Sequence, residues 1–176
     1  MSDGPILIRA AGPLDAASMA TILNSEITTG TASWKTVPIG PERMRDWLFE
    51  RFARNDAVVV ACPDPDQPET IAGYGSFGPF RSGEGYARTA EHSVYVDRAY
   101  RRRGVGRALI ENLLRLAGDR GIETLVGGVS ADQSASLALH RALGFAEVGR
   151  LEGIGLKDGQ RLDLVLMQRR TAAWPG

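Results

Sequence analysis

The stretch Glu91-His92-Ser93-Val94-Tyr95-Val96-Asp97-Arg98-Ala99-Tyr100-Arg101-Arg102-Arg103-Gly104-Val105-Gly106-Arg107 limits what this chain can become more than any other segment. Val94, Tyr95 and Val96 read as a strand. The chain then crosses a basic loop and enters an amphipathic helix at Gly104, whose apolar residues Val105, Ala108, Leu109, Leu113, Leu116 and Ala117 recur at helical spacing. A strand, a glycine-bearing loop and a helix start together form an anion site. The first turn of a helix has unpaired N–H groups, and the helix dipole adds partial positive charge there. Gly104 and Gly106 let the backbone come close to a ligand, and Arg101, Arg102, Arg103 and Arg107 supply cations for phosphate oxygens.

Two common glycine motifs are excluded. No Gly-x-x-x-x-Gly-Lys-Ser/Thr occurs, so there is no P-loop, and Leu109 stands where the dinucleotide fingerprint needs its third glycine. The 21 Lys and Arg balance 21 Asp and Glu. The basic stretch is therefore local, which suits a small polyphosphate and argues against a nucleic-acid partner. Cys62, the single cysteine, precludes an intramolecular disulfide and lies in the apolar run Ala57–Cys62, where it reads as core filling. No Cys cluster offers a metal site. No apolar run approaches membrane-spanning length and no secretory leader is visible, so a cytoplasmic protein with no membrane partner is expected.

Along the chain, Ile6–Arg9 reads as a strand and Gly12–Ser25 as a helix. Thr28–Trp34 reads as a polar loop, with Trp34 packing in the core, and Pro41 to about Asn55 as a second helix. Strands follow at 57–62, 71–80 and 87–97, the last two joined by the Arg81–Gly85 turn as an antiparallel hairpin. After the helix 104–120, Leu125–Val129 is a strand of low bulk, through Gly127 and Gly128, beside which another backbone or a ligand fits. A helix capped by Asp132 or Ser134 runs to Leu143. Strands at 145–151 and 161–168 close the pattern around a 157–160 turn, and 171–176 reads as a frayed tail. This β-α-α-β-β-β-α-β-α-β-β order describes one α/β (α+β) domain over residues 1–170. Its mixed, mostly antiparallel sheet has about seven strands, flanked by about four helices.

That order resembles the GNAT superfamily of N-acetyltransferases, whose Arg/Gln-x-x-Gly-x-Gly/Ala pattern matches Arg101–Gly106. The stretches Thr89–Val96, Gly78–Arg81, Leu139–Phe145 and Gly155–Leu164 are similar to the phosphinothricin and methionine sulfoximine N-acetyltransferases. The resemblance implies acetyl-CoA as co-substrate, no metal, a small amino acid as acceptor and a homodimer. It implies Glu91 as general base, since an ammonium must lose a proton before it attacks a thioester. It also implies His140 as proton donor to the departing thiolate, an imidazole of pKa ~6.5 where most members have Tyr. For the cofactor it implies the backbone of Val94, Tyr95 and Val96, the loop Arg101, Arg102, Arg103, Gly104, Val105, Gly106 and Arg107, and Gln133, which replaces the usual Asn. For the acceptor it implies Arg81, Ser82 and Gly83 together with Glu91, with Trp34 and Phe80 as apolar walls.

Arg88 and Arg9 are rival cations for the acceptor carboxylate. Thr28, where some relatives have an acidic residue, leaves the amino-acid preference open. His92 faces away from Glu91 by strand alternation and reads as structural. Two other readings stay in view. One is a GNAT acting on a polyamine, dipeptide or protein N-terminus; the other is a non-catalytic acyl-CoA sensor, which would have lost its base.

Overall fold

The computed structural model describes residues 5–171. Seven strands form one sheet in the order β1-β2-β3-β4-β5-β7-β6. They are β1 (Leu7–Ala10), β2 (Ala57–Cys62), β3 (Gly73–Pro79), β4 (Thr89–Val96), β5 (Thr124–Ser130), β6 (Ala146–Lys157) and β7 (Gln160–Arg170). The helices are α1 (Ala16–Thr29), α2 (Pro41–Ala53), α3 (Val105–Asp119) and α4 (Ser134–Ala142). All strand pairs are antiparallel except β4 with β5. No helix among the described residues is long and apolar enough to cross a membrane.

Strand alternation sorts the core into two layers. On β2, Val58, Val60 and Cys62 pack with α1 and α2, while Ala57, Val59 and Ala61 face α3. Cys62 is thus core filling, as its apolar neighbours imply. On β4, Ala90, His92, Val94 and Val96 point to the α3/α4 face; Glu91 and Tyr95 leave by the other.

Several expectations shift. α1 runs on to Thr29, because Thr28 and Thr29 turn their hydroxyls back onto the carbonyls of Asn24 and Ser25 (2.9 and 2.7 Å) and so satisfy themselves inside a helix. Thr28 therefore stands on a helix end, not in a loop. β6 reaches Lys157 instead of stopping at Leu151, with register shifts at Glu147/Gly149 and Leu151/Gly155. Each bulge breaks the two-residue period by which a strand is read. Gln133 is the N-cap of α4 and makes no side-chain cap bond, while Asp132 accepts from Thr31 instead. Thr171 is docked through its amide on the Glu123 carbonyl (3.0 Å), so the tail expected from 171 could begin only beyond it, at residues outside those described.

Candidate active site

β4 and β5 pair only from Thr89↔Thr124 to His92↔Gly127. Beyond that point β4 stays on β3 and β5 stays on β7, and the two strands part. The edge of β4 from Ser93 to Val96 therefore borders a gap in the sheet, with main-chain groups that no strand on that side uses.

The basic loop closes the end of this gap. Arg102 (φ 63°) and Gly104 (φ 82°) both take the left-handed conformation, and Gly104 caps α3. For a non-glycine residue such as Arg102 this costs about 1 kcal/mol or more. Among the described residues, no backbone N–H from Arg102 to Arg107 has a hydrogen-bond acceptor; the first helical bond is Ala108 to the Gly104 carbonyl (3.0 Å). Six free amides on a strained turn at a helix start suit a diphosphate.

The arginines divide. Arg101, expected on the phosphates, is engaged within the protein, pairing with buried Glu26 and donating from Nε to the Val96 carbonyl (3.3 Å), and so anchors the loop. Arg107 pairs with Glu111 one turn on (3.2 Å), Arg103 lies over the Tyr100 ring, and Arg102 is exposed. Val105 is buried and offers only its amide.

Glu91 leaves β4 on the α1/α2 side. Its carboxylate lies over Gly128, where a Cβ would sit 3.4 Å from Oε1. Although the residue has solvent access, burial on that side pushes its carboxyl above the ordinary value, while Arg81 and then Arg51 pull it back. The low bulk of β5 is thus used by protein side chains on both faces, Glu91 over Gly128 and the histidines over Gly127.

His92 faces away from Glu91, as alternation requires, and meets His140 with the two Nε2 atoms 3.3 Å apart. A Cβ on Gly127 would lie 2.7 Å from one and 3.1 Å from the other. The bond pattern sets the tautomers. His140 Nδ1 is 2.7 Å from the Ser136 carbonyl and must carry a proton, so its Nε2 accepts from His92 Nε2–H. His92 Nδ1 is left as a buried lone pair without a partner. Burial, and secondarily His140, hold His92 down to about 3; burial also lowers His140, against its bond to Ser136. Both His140 nitrogens are thus engaged inside the protein, Nδ1 at Ser136 and Nε2 at His92, an arrangement that does not favour the expected role of His140 as donor to a thiolate.

The segment between α1 and α2 roofs the gap on the Glu91 side. Thr31 donates to Asp132 (2.6 Å), and Gln133 Nε2 donates to Thr31 (2.6 Å). The Gln133 amide group expected on the cofactor therefore ties two loops together. Tyr95 reaches Ser33, and buried Lys157 donates to the carbonyls of Glu26, Gly30 and Ser33 (2.9, 2.5 and 2.7 Å). Trp34 packs flat on Gly155, where no Cβ would fit.

Ser82 and Gly83 line a cleft of about 460 Å³ with Arg81, Gly78, Ala90 and Arg120 at the β3–β4 hairpin. Glu91 is not part of that lining, so of the three expected acceptor contacts only Arg81 is shown acting on Glu91. Phe80 carries the Arg81 guanidinium 5.2 Å over its ring. The rival cations are committed elsewhere: Arg9 forks onto Asp15 (2.8 and 2.7 Å) and Arg88 pairs with Glu123. Lys157 and Arg51 are the residues that sequence reading missed. A lysine at the end of an interrupted strand has no local signature, and Arg51 reads as one more charge on the polar face of α2. No group of three or more metal-ligating side chains occurs among the described residues.

Comparison with known proteins identifies the family to which this fold belongs. The acetyltransferase (GNAT) family profile matches residues 20–145. The L-methionine sulfoximine/L-methionine sulfone acetyltransferase of Pseudomonas aeruginosa is 34% identical over 161 residues, 92% of each chain. The phosphinothricin N-acetyltransferase of Streptomyces viridochromogenes is 32% identical over 94% of this chain and 87% of its own. Among solved structures, a putative acetyltransferase of Salmonella typhimurium with its cofactor acetyl-CoA superposes with a TM-score of 0.90 at 31% identity, covering 98% of both chains. A ribosomal-protein-alanine N-acetyltransferase of Brucella melitensis gives 0.88 at 36% identity, over 93% of this chain and 99% of that one. The chain belongs to the GNAT acetyltransferase family. Its activity is that of an acetyl-CoA-dependent N-acetyltransferase.

Proposed function

We propose that this enzyme acetylates the α-amine of a small amino acid of the phosphinothricin, methionine sulfoximine or methionine sulfone type, with Glu91 as the general base. The observation that carries the reading is the Glu91 carboxylate itself. It stands at the mouth of the β4–β5 gap, raised by burial and flanked by the positive charge of Arg81 and Arg51.

Acetyl-CoA supplies the acetyl group as a thioester. The amides of Arg102–Arg107 hold its diphosphate, and the β4 edge at Val94–Val96 lines the path of the pantetheine arm and offers an N–H to the carbonyl oxygen as charge builds there. Arg81 binds the acceptor carboxylate. Glu91 takes one proton from the acceptor ammonium, directly or through one water, freeing the lone pair for attack. The nitrogen loses a second proton as the amide forms, which balances the thiolate that leaves. His140 has no part in that step and supports β5 from behind.

Two further properties belong to this proposal: one domain over residues 1–170, and a cytoplasmic homodimer. The edge strand β6 exposes Val148, Ile154 and Leu156, each more than half accessible, as an apolar strip suited to a second copy. The relative named for ribosomal-protein alanine favours a second reading, acetylation of a peptide N-terminus. Cations beside the base favour the small anionic acceptor.

A thiol-release assay with phosphinothricin, methionine sulfone, methionine sulfoximine, spermidine and Ser- and Ala-initiated peptides decides between them. The amino acids should lead in kcat/KM by about tenfold or more. Turnover of only spermidine or the peptides would overturn the acceptor class.

A further inference from the structure

Arg51, on the last turn of α2, has a setting unlike that of the chain's other arginines. Its guanidinium lies directly above Gly78 of β3: a Cβ built there would collide with Nη1. Gly78 is the cross-strand partner of Glu91, and alternation puts both on the α1/α2 face of the sheet. The guanidinium is therefore next to the base, yet the two form no ion pair within 4 Å. It is also fixed in place. Nη1 donates to Asp56 Oδ2 (3.1 Å), and the group lies 5.0 Å over the Trp47 ring. Among the described residues its buried Nε has no acceptor and Nη2 makes no bond.

A rigid cation with an unused Nη2, beside a base it does not neutralise, is placed for an oxygen from elsewhere. Asp56 also accepts from Arg54 (3.1 and 2.9 Å), so this carboxylate is shared and leaves Arg51 part of its charge. Arg54 itself is exposed and is not among the charges that act on Glu91.

We propose that Arg51 is a second acceptor-binding residue, which takes the oxygen-rich far end of the amino-acid side chain while Arg81 takes the α-carboxylate. This rests on the amino-acid reading above and sharpens it. The preferred acceptor is an α-amino acid ending in an oxo or oxyanionic group, such as a phosphinate or sulfone. An apolar side chain of the same length would leave the donors of Arg51 unmatched. A glycine at 78 has its reason here, because any side chain would displace the guanidinium.

The test compares KM for phosphinothricin and methionine sulfone with that for norleucine, in wild type, Arg51→Met, Arg51→Lys and Arg54→Met. In Arg51→Met, KM should rise about tenfold or more for the two oxygenated acceptors and stay within about twofold for norleucine. Arg51→Lys should recover part of the loss. Arg54→Met, which leaves Asp56 wholly to Arg51, should raise the two oxygenated KM values far less than Arg51→Met does and leave norleucine unchanged. Equal losses on all three acceptors, or the same selective loss in Arg54→Met, would overturn the assignment while leaving the amino-acid reading intact. If wild type acetylates none of the three, that reading falls and this one with it. Melting curves identify a variant that fails to fold, in which case the Arg51→Lys pattern decides.

Discussion

The buried imidazole pair makes a quantitative demand on stability. His92 is held near 3 in the fold and returns to about 6.5 when the chain unfolds. Its folded value is depressed, so its contribution is fully present above about pH 6.5 and drains away as pH falls, since the unfolded chain binds the extra proton. Each pH unit inside that window costs about 1.4 kcal/mol. Between pH 7 and pH 5 the loss is therefore about 2 kcal/mol from this one ring, or roughly 4–8 °C in Tm for a chain of this size. His140 is lowered in the same direction and adds to the slope.

The perturbation is His92→Phe, which puts another ring against His140 and Phe145, now 5.2 and 5.4 Å from the His92 ring. Urea denaturation at the two pH values should show the difference between them shrinking by about 2 kcal/mol in the variant. Ring ¹⁵N spectra give a second view, because the chain has only two histidines. His92 should be neutral at pH 6 with its proton on Nε2, and His140 should titrate below the ordinary imidazole value, its neutral form carrying the proton on Nδ1. Equal pH dependence in variant and wild type, or a ring titrating near 6.5, would refute this account of the pair and make a protonated His140 available again as an acid.

Other consequences are more direct. Glu91→Gln should lower kcat by about 10²–10⁴ while the Kd for CoA changes less than about twofold; in wild type the acid limb of kcat/KM should lie above the ordinary carboxylate range, because burial raises Glu91 and its basic form is lost as pH falls through that raised value. Calorimetry and pH–rate profiles check the two halves. Gly104→Val forces a β-branched residue to φ 82° at a local strain of about 1–3 kcal/mol, so CoA affinity should fall about tenfold or more while the melt stays cooperative. Lys157→Met strips three buried carbonyls of their donor and should cost roughly 3–5 kcal/mol by denaturant titration, raising acceptor KM more than the Kd for CoA as the α1–α2 segment loosens.

The parts of this enzyme legible in its sequence are those written in consecutive residues. The proposed phosphate loop needs a strand, two glycines and a helix start in succession, and all of it is contained between Val94 and Arg107. Period-two and period-3.6 patterns likewise give the order of all eleven elements. What stays hidden depends on side chains meeting across the sheet. Arg101 reads as a free cation until Glu26 appears beneath it. His140 reads as an acid until His92 meets its Nε2 from β4, two strands back in the chain. Gln133 keeps an amide at the expected place, but that amide is spent on Thr31, a residue remote in sequence. β6 hides its own length, because two bulges reset the alternation by which it would be recognised.

Cofactor binding as proposed depends on the six amides of Arg102–Arg107 at the start of α3. A ¹H–¹⁵N titration with CoA should move or protect the resonances of Arg102–Arg107 first, together with the β4 edge at Ser93–Val96, and leave the β3–β4 hairpin cleft unchanged. Saturable shifts confined to the Ser82–Gly83 cleft, with those six amides untouched, would contradict it.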